Sequence, residues 1–228
     1  MGYTLRNVNR PSSKKAQEVV SLNVPEVILN LRKEMKESTG REREKQRHVP
    51  AGQNGKPLQQ LEGLLAKVNA ERLREILTTD RVTELLENTL NVQVVPFILY
   101  QGPPNVYPFE VSKYFTTKDV MQRDIRIEVP CNETGAIKTV LFARSWIAMD
   151  EINQDFRELL YAGKMTIGQI IRQRHSAIEY QNIGYKEMRS AALAAVFKAQ
   201  GRVHLIRRSR IICHKKRPVI LIHEFVPI

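Results

Sequence analysis

Apolar runs long enough to cross a bilayer are missing from this sequence, since none approaches the roughly 20 residues that a spanning helix requires. The N-terminus also lacks the basic-then-apolar layout of a secretory signal. A soluble protein of the cytoplasm, or of an equivalent reducing compartment such as the plastid stroma, is expected. Cysteine is scarce: Cys131 and Cys213 stand far apart with no paired spacing, which excludes a disulfide framework and offers no zinc-ligand pattern. His48, His175, His204, His214 and His223 show no ligand spacing either, and no Ser/His/Asp or Cys/His order marks a nucleophile. Metal and cofactor are both expected to be absent.

Acidic residues are the minority, leaving a formal net charge of +12. Such a balance can serve nucleic acid, because Lys and Arg release counterions from phosphate backbones. Its distribution argues otherwise. Residues 1–57 hold 12 Lys/Arg against 6 Asp/Glu, so half of the excess sits in a quarter of the chain, without interleaved aromatics. A nucleic-acid partner is not expected, and a small anionic molecule steered by a basic protein accounts for the charge as well. At 228 residues the chain accommodates one good-sized core plus an appendage. The expected division is a basic N-terminal extension over 1–57 and a folded domain over 58–228.

Within the extension, Arg32 to Pro57 has almost no large apolar residues and reads as a linker, preceded by a short segment, Val24 to Leu31, that suits docking. From Leu58 to Leu77 leucines and other apolar residues recur at three- and four-residue intervals, as amphipathic helices require. Another helix should follow Thr79-Asp80 with Val82, Leu85 and Leu86 on one side. Asn91 to Tyr100 reads as a strand that Pro96 confines to a sheet edge or bulge. In the next strand Met121, Ile125, Ile127 and Val129 alternate with Gln122, Asp124, Arg126 and Glu128, so one face is buried. A turn at Asn132 to Gly135 returns the chain as Thr139 to Ile147. Asp150 is the expected cap of a helix ending at Gly163, and Thr166 with Gln169 forms a capping box for the helix after it. Val203 to Cys213 and Val219 to Val226 form a last hairpin. Strands joined mostly as hairpins, with helices between them, define an α+β class: an antiparallel sheet with flanking helices.

Three groups could carry chemistry. Glu224 shares a strand face with Ile220, Ile222 and Val226, so its carboxylate points into apolar surroundings and should have a raised pKa unless a cation pairs with it. A structural ion pair is the alternative. Arg123 is the one charged residue at the apolar positions of its strand, where a guanidinium suits bidentate carboxylate binding or, alternatively, a core acid such as Glu224. The helix starts at Asp80 to Thr83 and Thr166 to Gly168 present unpaired amides to an anion, and Gly168 permits close approach. The run Arg207-Arg208-Ser209-Arg210 reads as a solvated edge for at least one of its members.

In order and spacing, TTDRVTELLE, RDIRI, ARSWI, MTIGQII, RRSRI and RPVILIHEFVP resemble the chorismate-pyruvate lyase family over roughly Leu73 to Pro227. The resemblance implies a chorismate lyase-like fold and cofactor-independent release of pyruvate from chorismate, giving 4-hydroxybenzoate for quinone synthesis or another aromatic pathway. It places the ring carboxylate on Arg123, with Arg126 as the alternative alignment. An expected register setting Arg123 across from Arg144 favours Arg123. The resemblance further implies backbone contacts at Val82, Ile167 and Gly168, and Glu224 at the ring hydroxyl. Three features depart from the family: the N-terminal quarter, the glycine-free turn His214 to Arg217, and the alanine-rich stretch Met188 to Gln200. A ligand-sensing domain of the same fold, such as some bacterial regulators carry, is the competing reading.

Overall fold

The computed structural model describes residues 71–91, 93–104, 109–130, 137–174 and 178–228. The expected extension, the Val24 to Leu31 segment, most of the Leu58 to Leu77 helix and the Asn132 to Gly135 turn lie outside them. Six antiparallel strands form one sheet in the order β1-β2-β3-β6-β5-β4. They are β1 (Pro96–Gly102), β2 (Val120–Pro130), β3 (Ile137–Ala148), β4 (Ile178–Ser190), β5 (Val203–His214) and β6 (Arg217–Pro227). The class is α+β, as expected. Among the described residues no helix is long and apolar enough to cross a membrane.

One sheet face carries the larger core. Helices α1 (Glu71–Thr78) and α2 (Val82–Leu90) precede the sheet. They bring Leu73, Leu77, Val82 and Leu86 onto Ile125, Ile206 and Ile222. Helix α3 (Phe109–Tyr114) crosses the opposite face, over Trp146 and Leu221. Helices α4 (Gln154–Ala162) and α5 (Ile167–Arg174) add Phe156, Leu160 and Ile170 to the first face. Helix α6 (Ala191–Val196) covers Phe142 and Phe225 on the second. Every central strand is therefore buried on both sides.

Several local expectations shift. Strand β1 begins at Pro96, because Asn91 turns left-handed (φ 51°) to close α2. A first-strand proline on an edge needs no ladder donor. The cap of α4 is Asn153, whose Oδ1 accepts from Phe156 N–H at 2.9 Å, while Asp150 lies in a short 3-10 turn. Gly163 ends that helix at φ 73°, and the Thr166–Gln169 capping box forms in both directions, at 2.7 and 3.2 Å. Arg123 pairs with Ser145 rather than Arg144. A bulge between Ile127 and Glu128 shifts the register by one residue, so counting from the hairpin turn misplaces everything beyond it. In the glycine-free turn, Lys215 and Lys216 themselves adopt φ 50° and 67°, the left-handed pair that a two-residue hairpin demands. The alanine-rich stretch is the end of β4 followed by α6.

Asp124 and Arg144 face each other across β2 and β3 on the α3 side, where Asp124 is fully buried. Arg144 grips it bidentately, Nε to Oδ1 at 2.9 Å and Nη2 to Oδ2 at 2.7 Å, and Gln122 donates to the same carboxylate. Removing one partner leaves a buried charge uncompensated. Asp124→Ala is expected to lower unfolding free energy by about 3–5 kcal/mol in a urea titration. Ligand affinity should not change, because the pair lies on the far side of the sheet from the cavity described next.

Candidate functional site

The first core does not close completely. Between the sheet, the α1–α2 turn and the starts of α2 and α5 lies a cavity of about 470 Å³, within the range of small-molecule sites. Ile125, Leu141, Ile212 and Ile222 from the sheet and Ile167 and Ile171 from α5 give it apolar walls. All five residues singled out in the sequence, Val82, Arg123, Ile167, Gly168 and Glu224, line this one space.

Arg123 projects from β2 on the face of Ile125 and Ile127 and is 1% exposed. Its Nη2 donates to the Met165 carbonyl at 2.8 Å. Nε and Nη1 have no hydrogen-bond partner among the described residues. Glu224 is engaged elsewhere, so the core-acid reading of Arg123 does not hold. Burial alone pushes the guanidinium pKa down to about 10. A buried cation short of acceptors is costly and calls for an explanation. Arg126 lies on the other face, its guanidinium 4.1 Å over the Phe97 ring and its Nε 3.2 Å from Glu128.

Glu224 is clamped. Arg208, directly opposite it on β5, donates Nε to Oε2 at 2.7 Å, and Arg210 donates Nη2 to Oε1 at 2.8 Å. The ion-pair alternative therefore holds, and with it the condition under which no raised pKa is expected. Burial does push Glu224 upward, but attraction to Arg208 and Arg210 and the hydrogen bonds from both hold it below the ordinary carboxylate range. The solvated-edge reading of the basic run also fails for these two, since β5 lies inside the sheet and both arginines are buried. Their signal was present in the sequence. Arg208 and Arg210 share strand parity with the buried Ile206 and Ile212, the same argument that picked out Glu224.

The helix starts also converge. Thr83 of α2 and Thr166, which precedes α5, place their hydroxyl oxygens 3.1 Å apart. A Cβ on Gly168 would lie 3.6 Å from the Thr83 hydroxyl, in ordinary contact. Gly168→Ala should therefore keep the fold, with about 0.5–1 kcal/mol gained from helix propensity. It should weaken ligand binding by narrowing this corner, an opposition of melting temperature and affinity that calorimetry would display. At the rim Arg172 ties Glu87 at 2.8 Å and Glu84 at 3.5 Å, joining α5 to α2. Tyr180 and Arg210 stack with 5.3 Å between guanidinium carbon and ring centroid.

An antiparallel sheet whose helices leave a cavity walled by aliphatics and furnished with a buried arginine and an arginine-clamped glutamate defines a chorismate lyase-like α+β domain. The chain belongs to the chorismate pyruvate-lyase Rv2949c-like family, whose profile matches residues 77–228. No curated protein matches it in a sequence search. Among solved structures it is similar to PhnF from Mycobacterium smegmatis, at 12% identity and TM-score 0.51, covering 66% of this chain and 65% of that one. The effector domain of the same protein matches at 11% identity and TM-score 0.48, over 64% of this chain and 86% of that one. At these identities the likeness is one of fold.

Proposed function

We propose that this protein is a chorismate lyase that splits chorismate into pyruvate and 4-hydroxybenzoate. The observation that carries the reading is Arg123: a buried guanidinium, short of acceptors, on the wall of an otherwise aliphatic cavity. A ring carboxylate would supply what it lacks, as a charge-assisted bidentate pair. Backbone amides at Val82, Ile167 and Gly168 would take the remaining anionic charge, helped by the positive ends of α2 and α5. Glu224, held ionised, accepts from the ring hydroxyl.

The reaction balances within the substrate. The ether bond between the ring and the enolpyruvyl oxygen breaks, the ring carbon bearing the hydroxyl gives up its hydrogen, and the methylene of the departing group gains one. The ring becomes aromatic and the departing group becomes pyruvate, with no net oxidation. The protein's task is to align the ether and stabilise charge on the departing group. Purified protein incubated with chorismate should form pyruvate and 4-hydroxybenzoate in equal amounts. Binding of chorismate without either product would instead make the domain a sensor of aromatic acids, since a fold can hold a ligand without turning it over.

A further inference from the structure

Thr83 stands in the first turn of α2 and lines the cavity. A helical threonine commonly turns its hydroxyl back onto a carbonyl three or four residues earlier. Here both of those carbonyls are engaged by arginines: Thr79 O accepts from Arg208 Nη1 at 2.7 Å and Asp80 O from Arg210 Nη1 at 3.1 Å. Among the described residues the Thr83 hydroxyl meets only the Thr166 hydroxyl, 3.1 Å away. The Thr166 oxygen already accepts the Gln169 N–H at 3.2 Å, as the cap of α5. Two hydroxyls carry two protons, and the contact between them uses one. The other proton is left without an acceptor among the described residues, although both side chains are buried. Thr83 is the more accessible of the two, 9% exposed against 3% for Thr166. The chain from Gln169 N–H through Thr166 therefore ends on Thr83, each hydrogen bond strengthening the next.

The position of this donor follows from the clamp. The guanidiniums that hold Glu224 also hold the carbonyls of Leu77, Thr79 and Asp80, the segment that enters α2. Thr83 thus stands on the side of the cavity next to Glu224. In chorismate the ether oxygen is on the ring carbon beside the one that bears the hydroxyl. A ring anchored at Arg123 and Glu224 can present that oxygen to Thr83. The acids at this end are already paired: the Asp80 carboxylate lies 3.6 Å from Arg210, and Glu84 lies 3.4 Å from Arg81 and 3.5 Å from Arg172. The hydroxyl is left as a neutral donor facing the ligand.

We propose that Thr83 is a catalytic residue whose hydroxyl donates a hydrogen bond to the ether oxygen of the departing enolpyruvyl group. The inference rests on the reading above, in which the cavity is a chorismate lyase site. As the bond between the ring and the ether oxygen breaks, its electron pair passes to that oxygen and the departing group becomes an enolate. The ring carbon bearing the hydroxyl releases its hydrogen as a proton, and the electron pair left behind completes the aromatic ring. The enolate methylene takes up a proton, which gives pyruvate. Thr83 keeps its own proton throughout. A hydroxyl suits this oxygen because its hydrogen bond is weak to an ether and strong to an enolate, so it favours the transition state over the bound substrate. Turnover of chorismate and calorimetric binding of 4-hydroxybenzoate, measured on the full chain, test the role. Thr83→Val should lower kcat by about a hundredfold, the effect of removing one such donor. Its affinity for 4-hydroxybenzoate, which has no ether oxygen, should stay that of the wild type. Thr83→Ser, which keeps the hydroxyl, should recover most of the rate. A merely structural threonine would lower melting temperature and product affinity together with the rate. Undiminished kcat in Thr83→Val, or a serine variant no faster than the valine one, overturns the proposal; Thr83→Ala takes the place of valine against serine if the valine variant does not fold. Absence of turnover by the wild type is a separate outcome, which removes the lyase reading and this role with it.

Discussion

Arg123→Met is expected to melt no lower than the wild type and to lose binding of chorismate and 4-hydroxybenzoate by about 2–5 kcal/mol, roughly 30-fold or more. The two halves have one cause. In the free protein the guanidinium is 1% exposed and holds one carbonyl, leaving Nε and Nη1 unmet. Methionine is of similar length, needs no acceptor and extends the apolar wall of Ile125 and Ile127, so the free protein loses little or gains. The complex loses the cation that a carboxylate requires. Residues kept at a cost to the fold are the mark of a binding site. Thermal melting beside calorimetry checks the pair, and a large drop in melting temperature with affinity retained would make Arg123 structural.

Glu224→Ala should behave oppositely, with an expected loss of about 3–5 kcal/mol of stability. Removing the carboxylate strands Arg208 and Arg210, both buried, beside each other. Replacing Arg208 by Met in the same chain should return part of the loss, a coupling that a double-mutant cycle measures directly. Acid unfolding provides the companion test. Because the folded pKa of Glu224 lies below its unfolded value near 4.5, its stabilisation is complete above that value and disappears as pH falls through the folded one. Glu224→Gln should lack this part of the acid dependence.

The parts of the fold that follow from short-range rules were legible. Two-residue alternation marked β2, a glycine and a Thr–Gln pair bounded α4 and α5, and parity pointed Glu224 and Arg123 into one space. Register was not legible, because one bulge at Ile127/Glu128 displaces every pairing beyond it without a sequence mark. The clamp was missed for a different reason. Three charged residues in four positions resemble a solvated edge until the strand order places β5 between β6 and β4. Arg208 then stands opposite Glu224, a contact set by sheet topology rather than by either residue's neighbours in the chain. The carbonyls it holds, Leu77 on α1 and Thr79 just beyond it, come from 131 and 129 residues away, beyond any local pattern.

The most direct measurement of the central claim is the structure of the protein with 4-hydroxybenzoate bound. The ring is expected between the aliphatic walls, its carboxylate within hydrogen-bonding reach of Arg123 and its hydroxyl within reach of Glu224. A ligand seated outside this cavity, or reversed with its carboxylate against Glu224, would contradict it.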